Sequence, residues 1–261
     1  SRGLVGSEMC IRDSMNIEAY LAFDPLNPNR TRWVEEDFNR LWAEGVLEDP
    51  KRKRTSEFLR ANEVKNIVSQ VDYLLDIHSM QKPCVPLMMA GMLNKGIDFA
   101  RDVGMQMPII SDTGHNEGMR MRDYFGFSNK ESQKNALLVE CGQHWAKSSE
   151  IVAIETMIRF LRTTSIMDKN FADDFVYKNK ALNFQNDVYK VGKIITIKSG
   201  NFKFDQDWQG FETLKKGVLI GKDDDEEVYA PFEETILIMP SKRLFPGKTA
   251  VRLAYKLSDY Y

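Results

Sequence analysis

Cysteine occurs only three times, at Cys10, Cys84 and Cys141, an odd and scattered set without a CxxC pair. That spacing excludes a disulfide framework, a zinc knuckle and a thioredoxin-like redox pair. Long apolar runs are missing too. No stretch of about 18 apolar residues exists to span a bilayer, and no apolar segment near the start has the form of a signal peptide. Basic residues are not in surplus: 36 Lys and Arg stand against 38 Asp and Glu, a formal net charge of −2, which removes the positive field that holds nucleic acid. There is no internal repeat and no low-complexity linker. Histidine is scarce, with His78, His115 and His144 the only three. With these absences the chain reads as soluble and cytoplasmic, with no nucleic-acid or membrane partner expected and with homo-oligomerisation left open.

The first fourteen residues, SRGLVGSEMCIRDS, have neither helical nor strand period. They resemble translated sequencing-adapter sequence fused to an open reading frame, so residues 1–14 are set outside the fold. Met15 then need not be a true start, and upstream sequence is expected to be missing. From Glu35 to Leu47 the spacing of Phe38, Leu41, Trp42 and Val46 predicts a helix, with Glu36 and Arg40 placed for a surface ion pair. Ser56–Val71 reads as a second helix. Tyr73–His78, Met88–Met92, Met107–Ile110 and Asn135–Gly142 read as short buried strands. Lys95–Val103 is a helix, and Ser148 or Ser149 caps a long amphipathic helix through Leu161. Alternation of strands with helices predicts an α/β fold around a largely parallel sheet. After about residue 167 the texture turns β-rich, through VGKIITIK, EEVYAPF, TILIMP and TAVRLAYKL, and KDDDEE reads as a solvated turn. A core over 15–167 and a smaller β-rich lobe over 168–261 follow.

Two strands end in residues capable of chemistry, and ligands of open α/β sheets gather at the carboxyl ends of strands. DIHS puts Asp76 and His78 on one strand face by alternation, an arrangement that suits either a metal ligand or a hydrogen-bonded histidine. VECG puts Glu140 among Leu137, Leu138, Val139 and Cys141. There it is either a partly desolvated general base or a carboxylate satisfied by a neighbouring cation. Met105, Met107, Met119 and Met121 read as core or pocket lining. GHNEG, Gly114–Gly118, is a Gly-flanked loop that either contacts substrate or merely connects.

In order and spacing, NPxxxR, DFNR, DIHS and VECG resemble the succinylglutamate desuccinylase/aspartoacylase family of zinc carboxypeptidase-like hydrolases, from about Asn27 to Leu161 and more loosely through DQDW and VYAPF. The resemblance implies a mixed sheet flanked by helices, with a β-rich C-terminal lobe. It also implies amide hydrolysis of N-acyl amino acids by a zinc-bound water. Carried onto this sequence, Arg32 stabilises the oxyanion, Asn39 and Arg40 grip a substrate carboxylate, His78 is a zinc ligand and Glu140 is the general base. The family places a further arginine ahead of its glutamate. Arg120 and Arg122 both stand in range, and Arg122 reads more naturally as a surface helix face, which leaves Arg120, with His115 of the loop, as substrate-binding candidates.

The departures are as informative. The family carries its other two zinc ligands in an upstream His-Gly-Asn-Glu motif, whereas this sequence has no histidine before His78. In GHNEG, His115 and Glu117 are two apart rather than three and follow the DIHS strand. A substitute zinc site from His78, His115 and His144 is the weaker alternative. His144 reads as a residue at the mouth of the site or as a packed histidine. One Zn2+ per full-length chain is expected, with the present chain an inactive fragment of a zinc-dependent amidohydrolase. The competing readings are a zinc-free carboxylate-binding protein on the same scaffold, or a hydrolase of another small ester or amide.

Overall fold

The computed structural model describes residues 15–24, 26, 33–114, 118–178 and 186–257. In chain order, α1 (Ile17–Leu21) precedes α2 (Ser56–Gln70), β1 (Tyr73–Met80), β2 (Leu87–Met89), α3 (Asn94–Val103), β3 (Ile109–Ser111), β4 (Asn135–Gln143) and α4 (Lys147–Thr163). Then come α5 (Asp173–Lys178), β5 (Val188–Thr196), β6 (Lys203–Phe204), β7 (Thr213–Lys215), β8 (Leu219–Asp223), β9 (Glu226–Tyr229), β10 (Glu234–Ile238) and β11 (Thr249–Lys256). Among the described residues no helix is long and apolar enough to cross a membrane.

The helix α2 starts where Thr55, in extended conformation, turns its hydroxyl to accept the Phe58 N–H at 3.0 Å. Phe58, Ala61, Val64 and Val68 recur at helical spacing and are buried. They pack against Phe38, Leu41, Trp42 and Leu47 and the β4 residue Ala136. The predicted helix over 35–47 is corrected here: only a 3-10 turn, Phe38–Arg40, forms, and Gly45 has φ +77. The buried Glu57 carboxylate explains it, because it accepts the N–H groups of Val34 at 2.6 Å, Glu35 at 3.3 Å and Glu36 at 3.4 Å. Donors that would begin a helix are drawn onto a tertiary acceptor instead. The apolar spacing still reports burial, but turns deliver it. The expected Glu36–Arg40 pair is also absent, since Glu36 meets Arg52 at 2.6 Å and the Thr55 hydroxyl.

An eight-stranded sheet runs in the order β1-β4-β2-β3-β5-β11-β10-β7, and β6-β8-β9 form a second sheet. β1 with β4, β2 with β3 and β3 with β5 are parallel; β2 with β4 and every pair beyond β5 are antiparallel. The sheet is therefore mixed rather than largely parallel. The chain crosses residue 168 and returns to the same sheet through β5. Along β4 the side chains alternate: Leu137 and Val139 join the core beneath α3 and α4, while Ala136 joins the α2 side. β1 is an edge strand, with Ile77 46% exposed, so it is half-buried where the sequence suggested full burial. At α4 the cap is Ala146, without a side-chain bond, rather than Ser148 or Ser149; the Ser149 hydroxyl donates to Gln143 O at 2.8 Å. Beyond β5, Trp208, Ile220, Leu237, Val251 and Leu253 fill a separate core between the two sheets. KDDDEE is the β8–β9 turn, with Asp224 at φ +54.

Candidate active site

Parallel pairing of β1 with β4 sets His78 directly opposite Glu140 at the carboxyl ends of both strands. The period-two alternation places Asp76 on the same face as His78, and the His78 Nε2 lies 3.0 Å from Asp76 Oδ1. The other Asp76 oxygen is buried and has no hydrogen-bond partner. Glu140 is buried between Val139 and Cys141 and reaches a cavity of about 670 Å³ that His78 also lines. Burial first, with the Glu140 charge adding to it, pushes the Cys141 thiol up to about 12. Burial, reinforced by Glu212 and Glu140, does the same to Cys84, which is on the cavity wall. Both thiols stay protonated at neutral pH and are poor nucleophiles.

The same cavity takes in Asn39, Arg40 and Arg120. Asn39 and Arg40 ride on the 3-10 turn that Asp37 caps by accepting the Asn39 N–H at 3.1 Å. The Asn39 side-chain oxygen accepts the Met121 N–H at 3.0 Å, so it ties this turn to the segment bearing Arg120. Gly118 makes the approach close: at φ +137, a Cβ there would sit 2.2 Å from the Arg40 carbonyl oxygen. Arg120 is buried in a bed of carboxylates, donating from Nη2 to Asp112 Oδ1 at 2.5 Å and from Nε to Asp123 Oδ2 at 2.9 Å. Burial pushes the Asp112 carboxyl up, but the guanidiniums of Arg120 and Arg252 outweigh it and hold it below the usual carboxylate range.

Arg122 is not a surface residue. It is 3% exposed and away from the cavity, and it donates to Ala90 O at 3.0 Å and Ala136 O at 2.7 Å, tying the segment just after β2 to β4. His144 faces a second cavity of about 500 Å³ beside β1, where its Nδ1 lies 2.8 Å from the Ser79 hydroxyl. Met105, Met107 and Met121 are core. Arg32 and His115 fall outside the described residues.

The far wall of the cavity was not read from the sequence. Lys242, Arg243 and Lys248 come from the β10–β11 loop, and Arg252 from the middle of β11. Arg243 stacks over Trp33 at 4.8 Å from the ring centre. Lys82 also lines the site, donating to Asp207 Oδ1 at 2.8 Å and Trp208 O at 2.5 Å. One signal was available: Arg252 interrupts TAVRLAYK at a position where Thr249 through Ala254 are all buried, and a buried charge in an apolar strand calls for a reason.

Among the described residues, no three His, Cys, Asp or Glu side chains converge as a metal cage. His78 is one donor, with Nε2 turned to Asp76. The described residues therefore do not fit a three-ligand zinc site.

No family model matches the chain. It is 22% identical over 251 residues to the succinylglutamate desuccinylase of Pseudoalteromonas atlantica, covering 87% of this chain and 67% of that protein. The succinylglutamate desuccinylase structure from Vibrio cholerae superposes with a TM-score of 0.61 at 16% identity, over 88% of this chain and 67% of that one. A succinylglutamate desuccinylase/aspartoacylase from Rhodobacter sphaeroides gives 0.61 at 12% identity, over 94% and 74%. Murine aminoacylase 3 gives 0.53 at 16% identity, over 90% and 82%. The sequence is thus similar to a succinylglutamate desuccinylase, and the fold is shared with structures of the succinylglutamate desuccinylase/aspartoacylase family.

Proposed function

We propose, taking that likeness as premise, that this chain provides the carboxylate grip and general base of an amidohydrolase acting on N-acyl amino acids or a similar small carboxylate-bearing substrate. The observation that carries the reading is the meeting of Glu140, Arg40 and Arg120 in one cavity at the carboxyl ends of β1 and β4. The curated relative is a desuccinylase and one fold neighbour an aminoacylase, both names of enzymes acting on acylated amines.

In this reading Arg40, seconded by Asn39, holds a substrate carboxylate and so fixes the amide beside Glu140. Glu140 takes a proton from water as the water oxygen attacks the amide carbon, then passes that proton to the nitrogen as the C–N bond breaks. A carboxylate and an amine result. Arg32 is the oxyanion donor, and His115 a loop contact to substrate. His78 is the candidate zinc ligand, but the described residues do not make a three-ligand zinc site.

That same observation favours a second reading, a zinc-free carboxylate-binding protein on this scaffold. One experiment separates the two. The purified chain is assayed for zinc content, for calorimetric binding of N-acetylglutamate, and for release of free amine with and without added Zn2+. Turnover that Glu140→Gln removes supports the hydrolase. Binding without turnover under either condition supports the binder, and absence of binding refutes both.

A further inference from the structure

The approach to Arg40 is held from outside the cavity, by a carboxylate for which the chemistry has no use. Glu57, in the first turn of α2, is wholly buried and does not line the cavity. Its Oε1 accepts the Val34 N–H at 2.6 Å and the Asn16 side-chain amide at 3.0 Å, and its Oε2 accepts the N–H groups of Glu35 at 3.3 Å and Glu36 at 3.4 Å. Successive backbone donors thus close on one anion, the geometry of an anion nest. Burial pushes the Glu57 carboxyl up, but these donors outweigh it and hold it below the usual carboxylate range. The clasp is reciprocal. Glu35 Oε2 accepts the Ser56 N–H at 2.9 Å and Glu36 meets Arg52 at 2.6 Å, so the segment before Arg40 and the start of α2 hold each other. Arg40 Nη1 in turn donates to Asn39 O at 2.6 Å, which folds the guanidinium onto its own turn and makes its aim follow that turn's backbone. The apolar spacing of Phe38, Leu41 and Trp42 would suit a regular helix, which would carry Asn39 and Arg40 in other directions. The turn that faces them into the cavity is therefore imposed by tertiary contacts, with Glu57 on one side and the Asn39–Met121 bond on the other.

We propose that Glu57 is a positioning residue for ligand binding: without touching the ligand, its carboxylate fixes the backbone of residues 34–36 and, through it, the direction of the Arg40 guanidinium. The inference rests on the reading in which Arg40 grips a substrate carboxylate. Its amide isostere breaks the clasp in a defined way. Glu57→Gln keeps the size of the side chain but offers one oxygen where the nest uses two, and sets an NH2 group against a backbone donor.

The test is a double-mutant cycle on N-acetylglutamate binding, read by calorimetric titration of the purified parent, Glu57→Gln, Arg40→Met and the double variant, with thermal unfolding showing each to be folded at the titration temperature. Arg40→Met should bind about tenfold more weakly than the parent, the scale of one charge-assisted contact. Glu57→Gln should lose about fivefold or more, although it lies outside the cavity. With Arg40 already gone, adding Glu57→Gln should change affinity by less than about twofold, because there is no guanidinium left to aim. A loss of packing alone would lower the unfolding temperature and leave the affinity of the folded chain unchanged in both backgrounds. If Glu57→Gln does not fold, Glu57→Asp, which keeps the charge but withdraws it by one methylene, must show the same background-dependent loss. Parental affinity in the folded Glu57 variant, or the same loss with and without Arg40, overturns the positioning role and leaves the Arg40 grip standing. Parental affinity in Arg40→Met, or no binding by the parent, overturns both.

Discussion

The two walls of the cavity are made differently. On one, His78 and Glu140 stand at the ends of paired parallel strands, and Arg40 on a turn locked to them through Asn39 and Met121. On the other, Lys242, Arg243 and Lys248 come from a hairpin loop and Arg252 from the interior of an antiparallel strand. The first wall holds the one described carboxylate of the lining, and the second is wholly cationic in its charged residues. A proton acceptor needs fixed geometry, which adjoining strand ends give, whereas selecting an anion needs charge in range, which a loop can give. The division teaches that chemistry and selection are assigned here to separate parts of one sheet.

The buried Asp112 network joins the walls, and breaking it should have the largest effect. Arg120→Met removes the cation between Asp112 and Asp123 and leaves both carboxylates buried beside an apolar chain. We expect a loss of about 3–5 kcal/mol in denaturant unfolding, the usual cost of orphaning a buried charge. A loss below about 1 kcal/mol would mean the network does not bind the walls together.

On the strand-end wall, Glu140→Gln keeps volume but removes the proton acceptor. It should lower any amide turnover by about two orders of magnitude or more while N-acetylglutamate still binds. Near-parental turnover would remove Glu140 from the chemistry.

The network also predicts a pH dependence. The folded Asp112 carboxyl lies below its ordinary value of 3.8, so its contribution is fully present above that value and is lost as pH falls through the folded one. The stability gap between the parent and Asp112→Asn should thus be widest near neutrality and shrink below about pH 4. A gap that is constant from pH 7 to pH 3 would contradict this.

The smallest effect belongs to the loop. Lys242→Gln should weaken N-acetylglutamate binding by no more than a few-fold, and only at low salt, because an exposed cation is screened. A salt-independent loss would make Lys242 a direct contact.

How much of this could be read in the chain follows from how local the causes are. DIHS and VECG were legible as strand ends because a short apolar run ending in polar residues is a local signature of a strand, although β1 is half-buried, and alternation alone sets Asp76 beside His78. The pairing of these two strands, and hence the facing of His78 and Glu140, was not legible, because β2, α3 and β3 lie between them in the chain. The stretch around Arg40 was misread as helix because its competitor, Glu57, lies about twenty residues away and acts through tertiary hydrogen bonds. Arg122 was taken for a surface residue because its acceptors, Ala90 O just past β2 and Ala136 O on β4, are brought to it only by the tertiary fold. Arg252 escaped because a lone arginine in an alternating run looks like an outward position until β5 and β10 flank it.

The central claim is that the strand-end wall grips a carboxylate beside Glu140. Calorimetric titration of N-acetylglutamate into the parent, Arg40→Met and Glu140→Gln, with folding verified for each, tests it most directly. The account predicts at least a tenfold loss of affinity in Arg40→Met and retained or tighter binding in Glu140→Gln, since the one removes an attraction and the other a repulsion. Equal affinity in the parent and Arg40→Met, or no binding by the parent, would contradict it.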